Sequence, residues 1–318
     1  MDFLSGRRAR NGAWFATMTA GQVFLALHLL VGGCASVATG CGSSPRQSPG
    51  DVTGLVQIGG GRELFLRCRG RGTPTVVLIS GFRGAYDDWT HVVGPGGEPE
   101  ASPSSVLPRV AGFTRVCGYD RPGTVGFDGA MTPSTPVEQP TTALQDAEDL
   151  HSLLSAAGVP APYVLVAHSW GGLIAYLAVS GHPEEVAGLV LVDPGSEFLQ
   201  TALTPEQWER FVRAAIQLGD PKTLEAVDYQ RSVAEIHAAP AVPQTPSVVL
   251  TADHPFDFGA GGSETWPAWL AAQDRLAALL GARHITDTNS GHYIAGEQPR
   301  LVVDQVRRVV QAVRDEMP

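Results

Sequence analysis

The sequence predicts an α/β fold in which helices flank a mostly parallel central sheet. From residue 51 onward, short runs of β-branched and apolar residues alternate with stretches of helical periodicity, the pattern of strand–helix–strand units. Several of these runs are apolar throughout, as expected for strands that are buried on both faces. Hydrophobic residues make up 43% of the 318-residue chain and charged residues 17%, which is typical of a protein with a large core.

The predicted elements follow one another in a regular order. Two runs at 55–58 and 63–68, joined by a glycine turn, have the pattern of an antiparallel pair. Further strands are predicted at 75–79, 114–117, 163–167, 188–192, 247–251 and 283–285. Helices are predicted at 143–154, from Gly171 onward, at 268–280 and at 300–313.

The alternation is interrupted between residues 195 and 246, where helical pieces such as 205–212 occur instead. Phe198, Trp208 and Phe211 give this insertion an apolar face that must cover another surface. We therefore expect a helical cap, at about 195–246, within a domain that spans residues 51–318.

The charge and the cysteine content exclude several classes of protein. The chain has 22 Lys and Arg against 32 Asp and Glu, so its net charge is −10, and it contains no basic tract. This composition argues against nucleic-acid binding, which needs basic residues to neutralise phosphates. The four cysteines are too few for a disulfide-built scaffold and form no CxxC zinc pattern. No motif predicts a metal ion or an organic cofactor.

Residues 1–41 have the composition of a signal or membrane-anchor segment. Arg7, Arg8 and Arg10 precede an apolar run at 23–31, and small residues follow it. The small residues before Cys34, and again before Cys41, resemble the lipobox of bacterial lipoproteins, in which the cysteine becomes the lipidated first residue.

Two forms of membrane attachment remain open at this stage, beside the alternative that residues 1–41 are merely the apolar start of a cytosolic chain. One is a cleaved signal with lipidation at one of the two cysteines, and the other is an uncleaved anchor at 13–31, which is near the ~20 residues that span a bilayer. Residues 42–50, rich in Gly, Ser and Pro, are predicted to form a flexible tether. The expected location is the outer face of a bacterial cytoplasmic membrane, or the medium after secretion.

A serine at a sharp strand-to-helix turn is the most informative feature. The apolar strand at 163–167 is followed by His168, Ser169 and Trp170, and then by two glycines. This is a G-x-S-x-G motif in which Ala167 replaces the first glycine. Small neighbours are needed because such a turn strains the backbone of the serine while exposing its hydroxyl above the sheet.

Three other segments accompany this motif. Ser80-Gly81-Phe82 follows the third predicted strand, and a Tyr-Asp-Arg-Pro turn follows Gly118. A Ser-Gly-His-Tyr turn late in the chain contains His292. Together the segments resemble the α/β-hydrolase family over nearly all of residues 51–313. The resemblance implies Ser169 as nucleophile and His292 as its base. It also implies an oxyanion hole made by the backbone N–H groups of Phe82 and Trp170.

The acid that orients His292 is ambiguous in the sequence. The usual family position follows the strand at 247–251, where Asp253 and Asp257 stand. Some haloalkane dehalogenases of the same superfamily place the acid after the preceding strand, and Asp193 occupies that position. Asp253 and Asp193 are equal candidates, and Asp257 is the third.

The family strand order, in which the second and fourth strands are neighbours, also implies a disulfide. Cys68 lies near the end of the second predicted strand and Cys117 in the fourth, so a Cys68–Cys117 bridge is expected. Such a bridge persists only in an oxidising compartment, which agrees with export.

These observations predict an exported serine hydrolase that cleaves uncharged carboxylic esters through an acyl-enzyme. The expected substrate is small and apolar or amphipathic, in a pocket lined by Phe82, Trp170, Phe198, Trp208 and Phe211. The same fold also supports an amidase, a peptidase or another hydrolase, because the fold alone does not fix the chemistry. A non-catalytic binding protein displayed at the surface is an alternative of another class.

Overall fold

A computed structural model describes residues 51–217 and 224–317. The predictions for the signal or anchor segment, for lipidation at Cys34 or Cys41 and for the tether lie outside the described residues.

The central sheet has eight strands in the order β1-β2-β6-β3-β7-β8-β9-β10. In chain order, the strands are β1 (Val52–Gly59), β2 (Arg62–Arg69), β3 (Thr75–Ile79), β4 (His91–Val93), β5 (Pro99–Ala101), β6 (Val116–Asp120), β7 (Tyr163–His168), β8 (Val186–Val192), β9 (Ser247–Leu250) and β10 (Arg283–Ile285). Strand β2 is antiparallel to both of its neighbours, and every other pairing in this sheet is parallel. The predicted α/β architecture is confirmed.

Helices cover both faces of this sheet. They are α1 (Val106–Val110), α2 (Ala143–Ala156), α3 (Gly171–Gly181), α4 (Phe198–Ala202), α5 (Pro205–Gln217), α6 (Tyr229–Ala238), α7 (Trp266–Leu279), α8 (Ile294–Glu297) and α9 (Pro299–Glu316). No helix within 51–217 or 224–317 combines the length and the apolar character that a membrane crossing needs.

Two apolar cores lie on opposite faces of the sheet because successive strand residues point to opposite sides. In β3, Val77 and Ile79 belong to the core shared with α2, α3 and α7. Val76 and Leu78 belong to the core beneath α1 and α9. Both sets are fully buried, which explains why this strand is apolar throughout.

The insertion between β8 and β9 contains α4, α5 and α6, in the segment where helical pieces are expected. The hairpin of β4 and β5 is not predicted by the sequence, because residues 94–105 are rich in Gly, Pro and Ser and have the composition of a loop. Only three residue pairs form this ladder, so almost no periodicity is available to indicate it.

Strands β2 and β6 bring two cysteines together. Cys68 and Cys117 are direct partners in the antiparallel register, and the structure joins them by a disulfide. The two strands are neighbours because β6 lies between β2 and β3 in the sheet.

Candidate active site

Two neighbouring parallel strands, β7 and β8, end at the same edge of the sheet, and a polar side chain follows each. Ser169 follows β7 and Asp193 follows β8. Both residues have left-handed backbone angles, with φ of 52° and 44°, a conformation that is uncommon outside glycine. Such strain concentrates at functional sites, where the surrounding structure holds it in place.

The small residues after Ser169 are required by close packing. A Cβ atom on Gly172 would lie 2.6 Å from the Pro194 Cβ and 2.7 Å from the Gly195 carbonyl oxygen. The Gly195 N–H donates to the Ser169 carbonyl oxygen at 2.7 Å, so the two turns that follow β7 and β8 are bonded to each other. Any side chain at Gly172 would separate Ser169 from the turn that contains Asp193.

A hydrogen-bonded pair of His292 and Asp193 is the central polar contact of the site. The His292 Nδ1 atom lies 2.6 Å from the Asp193 Oδ2 atom. Asp193 is fully buried, and its other oxygen accepts hydrogen bonds from the Ala252 N–H and the Trp269 Nε1–H, both at 3.0 Å. With its proton on Nδ1, the ring presents Nε2 as the basic nitrogen.

The elbow at Ser169 lies beside this pair. His168, the residue before Ser169, donates from Nε2 to the His292 carbonyl oxygen at 2.9 Å, and the two imidazole rings are 4.6 Å apart. No hydrogen bond between the described residues joins the Ser169 hydroxyl to His292. Hydrogen bonds between catalytic groups are often long without substrate and shorten when it binds.

The two other candidate acids lie elsewhere. Asp253 accepts hydrogen bonds from the backbone N–H groups of Asn289 and Ser290, both at 2.9 Å, and so shapes the loop that leads to His292. Asp257 accepts from the Gly259 N–H at 2.8 Å in an exposed turn. Of the three candidates, the structure brings only Asp193 to the imidazole.

His168 is held neutral by its surroundings. Burial, together with the neighbouring His292, lowers the pKa of His168 from its usual value near 6.5 to about 3. Its side chain is only 8% exposed and is T-shaped to the Tyr293 ring, with centroids 6.1 Å apart. A neutral ring can donate from Nε2 to the loop without adding a charge beside His292.

We expect the depressed pKa of His168 to make the fold sensitive to acid. The unfolded chain binds a proton near pH 6.5 and the folded chain does not, so the contribution of this residue to stability is complete above pH 6.5 and is lost as the pH falls toward 3. Between pH 7 and pH 5 the loss is about 2 kcal/mol. Urea unfolding of the wild type and of His168→Gln, which keeps a donor but does not titrate, measures this difference. An equal loss of stability in both proteins would contradict the assignment.

The loop after β3 is fixed by buried polar contacts. The Ser80 hydroxyl donates to the Ala85 carbonyl at 2.7 Å and accepts from the Trp89 Nε1–H at 2.9 Å. Arg121 donates to the carbonyl oxygens of Ser80 at 3.0 Å and of Gly81 at 2.6 Å. Ser80 therefore has a structural role at the position where the family has histidine, and the loop backbone is held rigidly.

Arg121 and Glu225 form a buried ion pair that connects this loop to the insertion. The Arg121 Nε atom lies 2.6 Å from the Glu225 Oε1 atom, and both side chains are at most 2% exposed. The other oxygen of Glu225 accepts a hydrogen bond from the Arg83 N–H. Burial alone would lower the pKa of Arg121, but the carboxylate of Glu225 raises it, so the guanidinium remains charged.

An aromatic wall that the sequence does not predict lies against His292. The Phe256 ring stacks on the imidazole with centroids 4.3 Å apart, and the Trp269 ring meets it edge-on at 5.5 Å. Phe258 connects this wall to Phe211 of α5, with centroids 5.9 Å apart. The only sequence signal for these residues is the pair of phenylalanines that flank Asp257 shortly after β9.

The residues predicted to line the pocket lie in different surroundings, some in the core and some near the surface. Trp170 is 2% exposed, packs on Tyr229 and donates from Nε1 to Asp146 at 3.1 Å. Its side chain therefore belongs to the core, because the residue before α3 turns toward α2 and α6. Phe82 is half-buried and lies beneath the Arg83 guanidinium, at 4.9 Å.

The predicted aromatic residues of the insertion pack mostly among themselves. Trp208 and Phe211 are each 8% exposed and both contact the Tyr229 ring. Phe198 lies beneath the Arg275 guanidinium, at 4.3 Å. Of these three residues, Phe211 alone touches the aromatic residues that extend to His292.

Comparison with known proteins assigns the family. A family model described as the alpha/beta hydrolase fold matches residues 74–257, more than half of the chain. The chain belongs to the alpha/beta hydrolase fold family. The matched segment contains the Ser169 elbow and Asp193, and His292 follows it in this hydrolase-fold chain.

Solved structures support the same fold. Est816, an N-acyl homoserine lactone degrading enzyme, is 17% identical with a TM-score of 0.55 over 81% of this hydrolase-fold chain and 100% of its own. A thermophilic esterase from Thermogutta terrifontis is 18% identical with a TM-score of 0.55 over 83% of this chain and 99% of its own. Identities this low show a shared fold.

Curated relatives match only parts of the sequence. An uncharacterised protein of Schizosaccharomyces pombe is 38% identical over 97 residues, or 30% of this chain and 17% of that protein. YqjL of Bacillus subtilis, also uncharacterised, is 26% identical over 187 residues, or 58% of this chain and 68% of its own length. A third relative is efuK of Hormonema carpetanum, which is named as a probable transporter. The chain spans about a fifth or less of the length of efuK and of the Schizosaccharomyces pombe protein.

Proposed function

We propose that this protein is a serine hydrolase that cleaves carboxylic esters through Ser169, His292 and Asp193. The observation that carries the proposal is the 2.6 Å contact between His292 and the buried Asp193 beside the strained Ser169 turn. A serine hydroxyl is a poor nucleophile until a nearby base accepts its proton, and an oriented imidazole is the usual base.

The proposed reaction proceeds in two halves. The Ser169 Oγ attacks the ester carbonyl carbon as its proton passes to His292 Nε2, and the Asp193 carboxylate stabilises the resulting imidazolium. The C–O bond then breaks, and the alcohol leaves with the proton from His292, which yields an acyl-enzyme. Water, deprotonated by His292, attacks the acyl group, and the released Ser169 recovers its proton.

The oxyanion formed in each half needs preorganised donors. The backbone N–H groups of Phe82 and Trp170 are the proposed donors, each worth about 100- to 1000-fold in rate. The contacts of Arg121 with the carbonyl oxygens of Ser80 and Gly81 support this role, because they fix the peptide units just before Phe82. Backbone donors do not depend on a histidine at position 80.

The ester specificity is supported by the walls of the site. Phe256, Trp269 and the half-buried Phe82 offer apolar surface beside or near the reacting groups, which suits an uncharged acyl or alcohol group. Two structural neighbours, an esterase and an N-acyl homoserine lactone degrading enzyme, are described as acting on compounds of this class.

We also propose that the protein is exported from the cytoplasm. The basic start, the apolar run and the small residues before Cys34 and Cys41 support a signal or anchor that places the enzyme outside the cytoplasm. The disulfide between Cys68 and Cys117 is consistent with an oxidising compartment.

Covalent labelling tests the proposal most directly. A fluorophosphonate probe reacts with an activated serine, and we expect one label per chain that peptide mass spectrometry assigns to Ser169. Hydrolysis of short p-nitrophenyl esters should disappear as the label accumulates. In the Ser169→Ala protein both labelling and turnover should be absent.

Ser290 is the internal control in the peptide analysis. This buried serine lies only two residues from His292, and we expect it to carry no label. Attachment of the probe to any serine other than Ser169, or ester turnover that persists in Ser169→Ala, would rule out the proposed nucleophile.

A further inference from the structure

Three potential metal ligands meet at the edge of the molecule that lies opposite Ser169. His151 lies on α2, His182 directly follows α3 and Glu185 directly precedes β8. One ligand atom from each residue lies within 4.8 Å of the other two. All three side chains are half-buried, so they are accessible to an ion from solvent.

The polar atoms of this cluster lie close together, and the two imidazole rings are stacked on each other. His151 Nδ1 lies 3.1 Å from Glu185 Oε2, and the two imidazole rings are stacked with centroids 3.6 Å apart and an interplanar angle of 4°. Ligand atoms around a tetrahedral zinc ion are about 3.4 Å apart. Because an imidazole nitrogen binds a metal in the plane of its ring, two parallel rings cannot share an ion, so at least one of the two imidazoles must rotate out of the stack when the ion binds.

The backbone that carries these residues is well fixed. The His182 N–H donates to the Ala178 carbonyl at 3.0 Å, which ends α3, and the Glu185 N–H donates to the His182 carbonyl at 3.1 Å. The Glu185 carbonyl in turn accepts from the Tyr163 N–H at 2.7 Å. Because the backbone at His182 and Glu185 is already fixed, only the side chains have to be ordered when an ion binds.

We propose that His151, His182 and Glu185 bind a divalent zinc ion. Two neutral imidazoles and one carboxylate suit a borderline-soft metal, and three protein ligands leave the fourth position to water. One carboxylate and a chain of net charge −10 also favour a cation.

The site is separate from the proposed catalytic centre. Glu185 and Asp193 lie at opposite ends of β8, whose seven residues extend about 23 Å. His182 and Ser169 flank opposite ends of α3, which is about 16 Å long. The ion would therefore act on stability by linking α2 to the turn between α3 and β8, and the inference does not depend on the activity of Ser169.

Calorimetric titration of the full chain with zinc chloride, without a histidine tag, tests this site. We expect one ion per chain with a micromolar or lower dissociation constant, and a rise in melting temperature of about 5 °C at a hundredfold excess over that constant. His182→Ala and Glu185→Gln should each weaken binding by at least about tenfold, since each removes one of three ligands.

His237→Ala is the matched control, because His237 is exposed and lies outside the cluster, and it should bind zinc as the wild type does. Cobalt(II) should give the visible absorption of a tetrahedral site in the wild type and lose it in His182→Ala. Wild-type protein that binds no zinc at submillimolar concentration, or cluster variants that bind as tightly as the wild type, would overturn the proposal. Melting of the metal-free variants establishes that they are folded.

Discussion

Asp193→Asn should lower kcat for ester hydrolysis about 10⁴-fold while leaving the fold intact. Asn is tolerated in the left-handed conformation that Asp193 adopts at φ 44°, and its oxygen can still accept from the Ala252 N–H and the Trp269 Nε1–H. Its amide nitrogen would then face His292 Nδ1. Because an amide donates where the carboxylate accepts, the imidazole would move its proton to Nε2 and could no longer accept the proton of Ser169.

The two other candidate acids are the matched controls. Asp257→Asn keeps an acceptor for the Gly259 N–H and should retain full activity. Asp253→Asn loses one of two hydrogen bonds to the loop before His292, so a reduction of less than about tenfold is expected, from a bond worth about 1 kcal/mol. Initial rates with a p-nitrophenyl ester, together with circular dichroism, measure all three. A severe loss in Asp253→Asn with near-normal activity in Asp193→Asn would reverse the assignment.

Glu225→Ala should destabilise the protein by about 3–5 kcal/mol, because it leaves the Arg121 guanidinium buried without its partner. Asp146 cannot replace Glu225 fully. Its carboxylate lies 3.8 Å from the Arg121 Nε atom, against 2.6 Å for Glu225, and already accepts from the Trp170 Nε1–H, while burial raises the pKa of Asp146. Urea unfolding measures the free energy.

A surface ion pair on α9 provides the control for Glu225→Ala. Asp304 lies 3.5 Å from Arg307, and both side chains are more than half exposed, so Asp304→Ala should change the free energy of unfolding by no more than about 0.5 kcal/mol. Equal small effects of the two substitutions would show that the buried ion pair contributes no more to the free energy of unfolding than the exposed one.

A double variant separates the contribution of the buried ion pair to stability from its role in positioning the loop after β3. Arg121→Met with Glu225→Leu removes both charges and should recover the part of the stability that the unpaired guanidinium costs, while the unpartnered backbone groups keep the variant less stable than the wild type. Ester hydrolysis should nevertheless stay low, since the Ser80 and Gly81 carbonyl oxygens and the Arg83 N–H lose their partners. Full activity in the double variant would mean that this ion pair is not needed to hold the loop after β3 in place.

The order of the elements and the elbow could be read from local patterns. Continuous apolar runs such as 75–79 reflect burial on both faces of a parallel sheet, and the small residues around Ser169 reflect the space that a sharp turn allows. Both are properties of residues that are close together in the chain. The predicted α/β fold and the family resemblance therefore agree with the structure.

The partner of His292 required the tertiary structure. Asp193 and Asp253 both follow strands that end at the same edge of the sheet, so their positions in the sequence do not show which of them orients His292. Packing separates them, because the turn after β8 points the Asp193 side chain inward beneath Trp269, whereas Asp253 binds the loop backbone. The contact with His292 joins residues 99 positions apart, and no local pattern encodes its direction.

The sequence by itself thus determined the type and order of the elements and the position of Ser169 at the strand-to-helix turn, because these depend on the burial and size of neighbouring residues. Only the tertiary structure decided which side chains meet: Arg121 with Glu225, Phe256 with His292, and the cluster of two histidines and a glutamate at the opposite edge. Such meetings depend on the register of strands and the angles of helices, which arise when distant segments pack together.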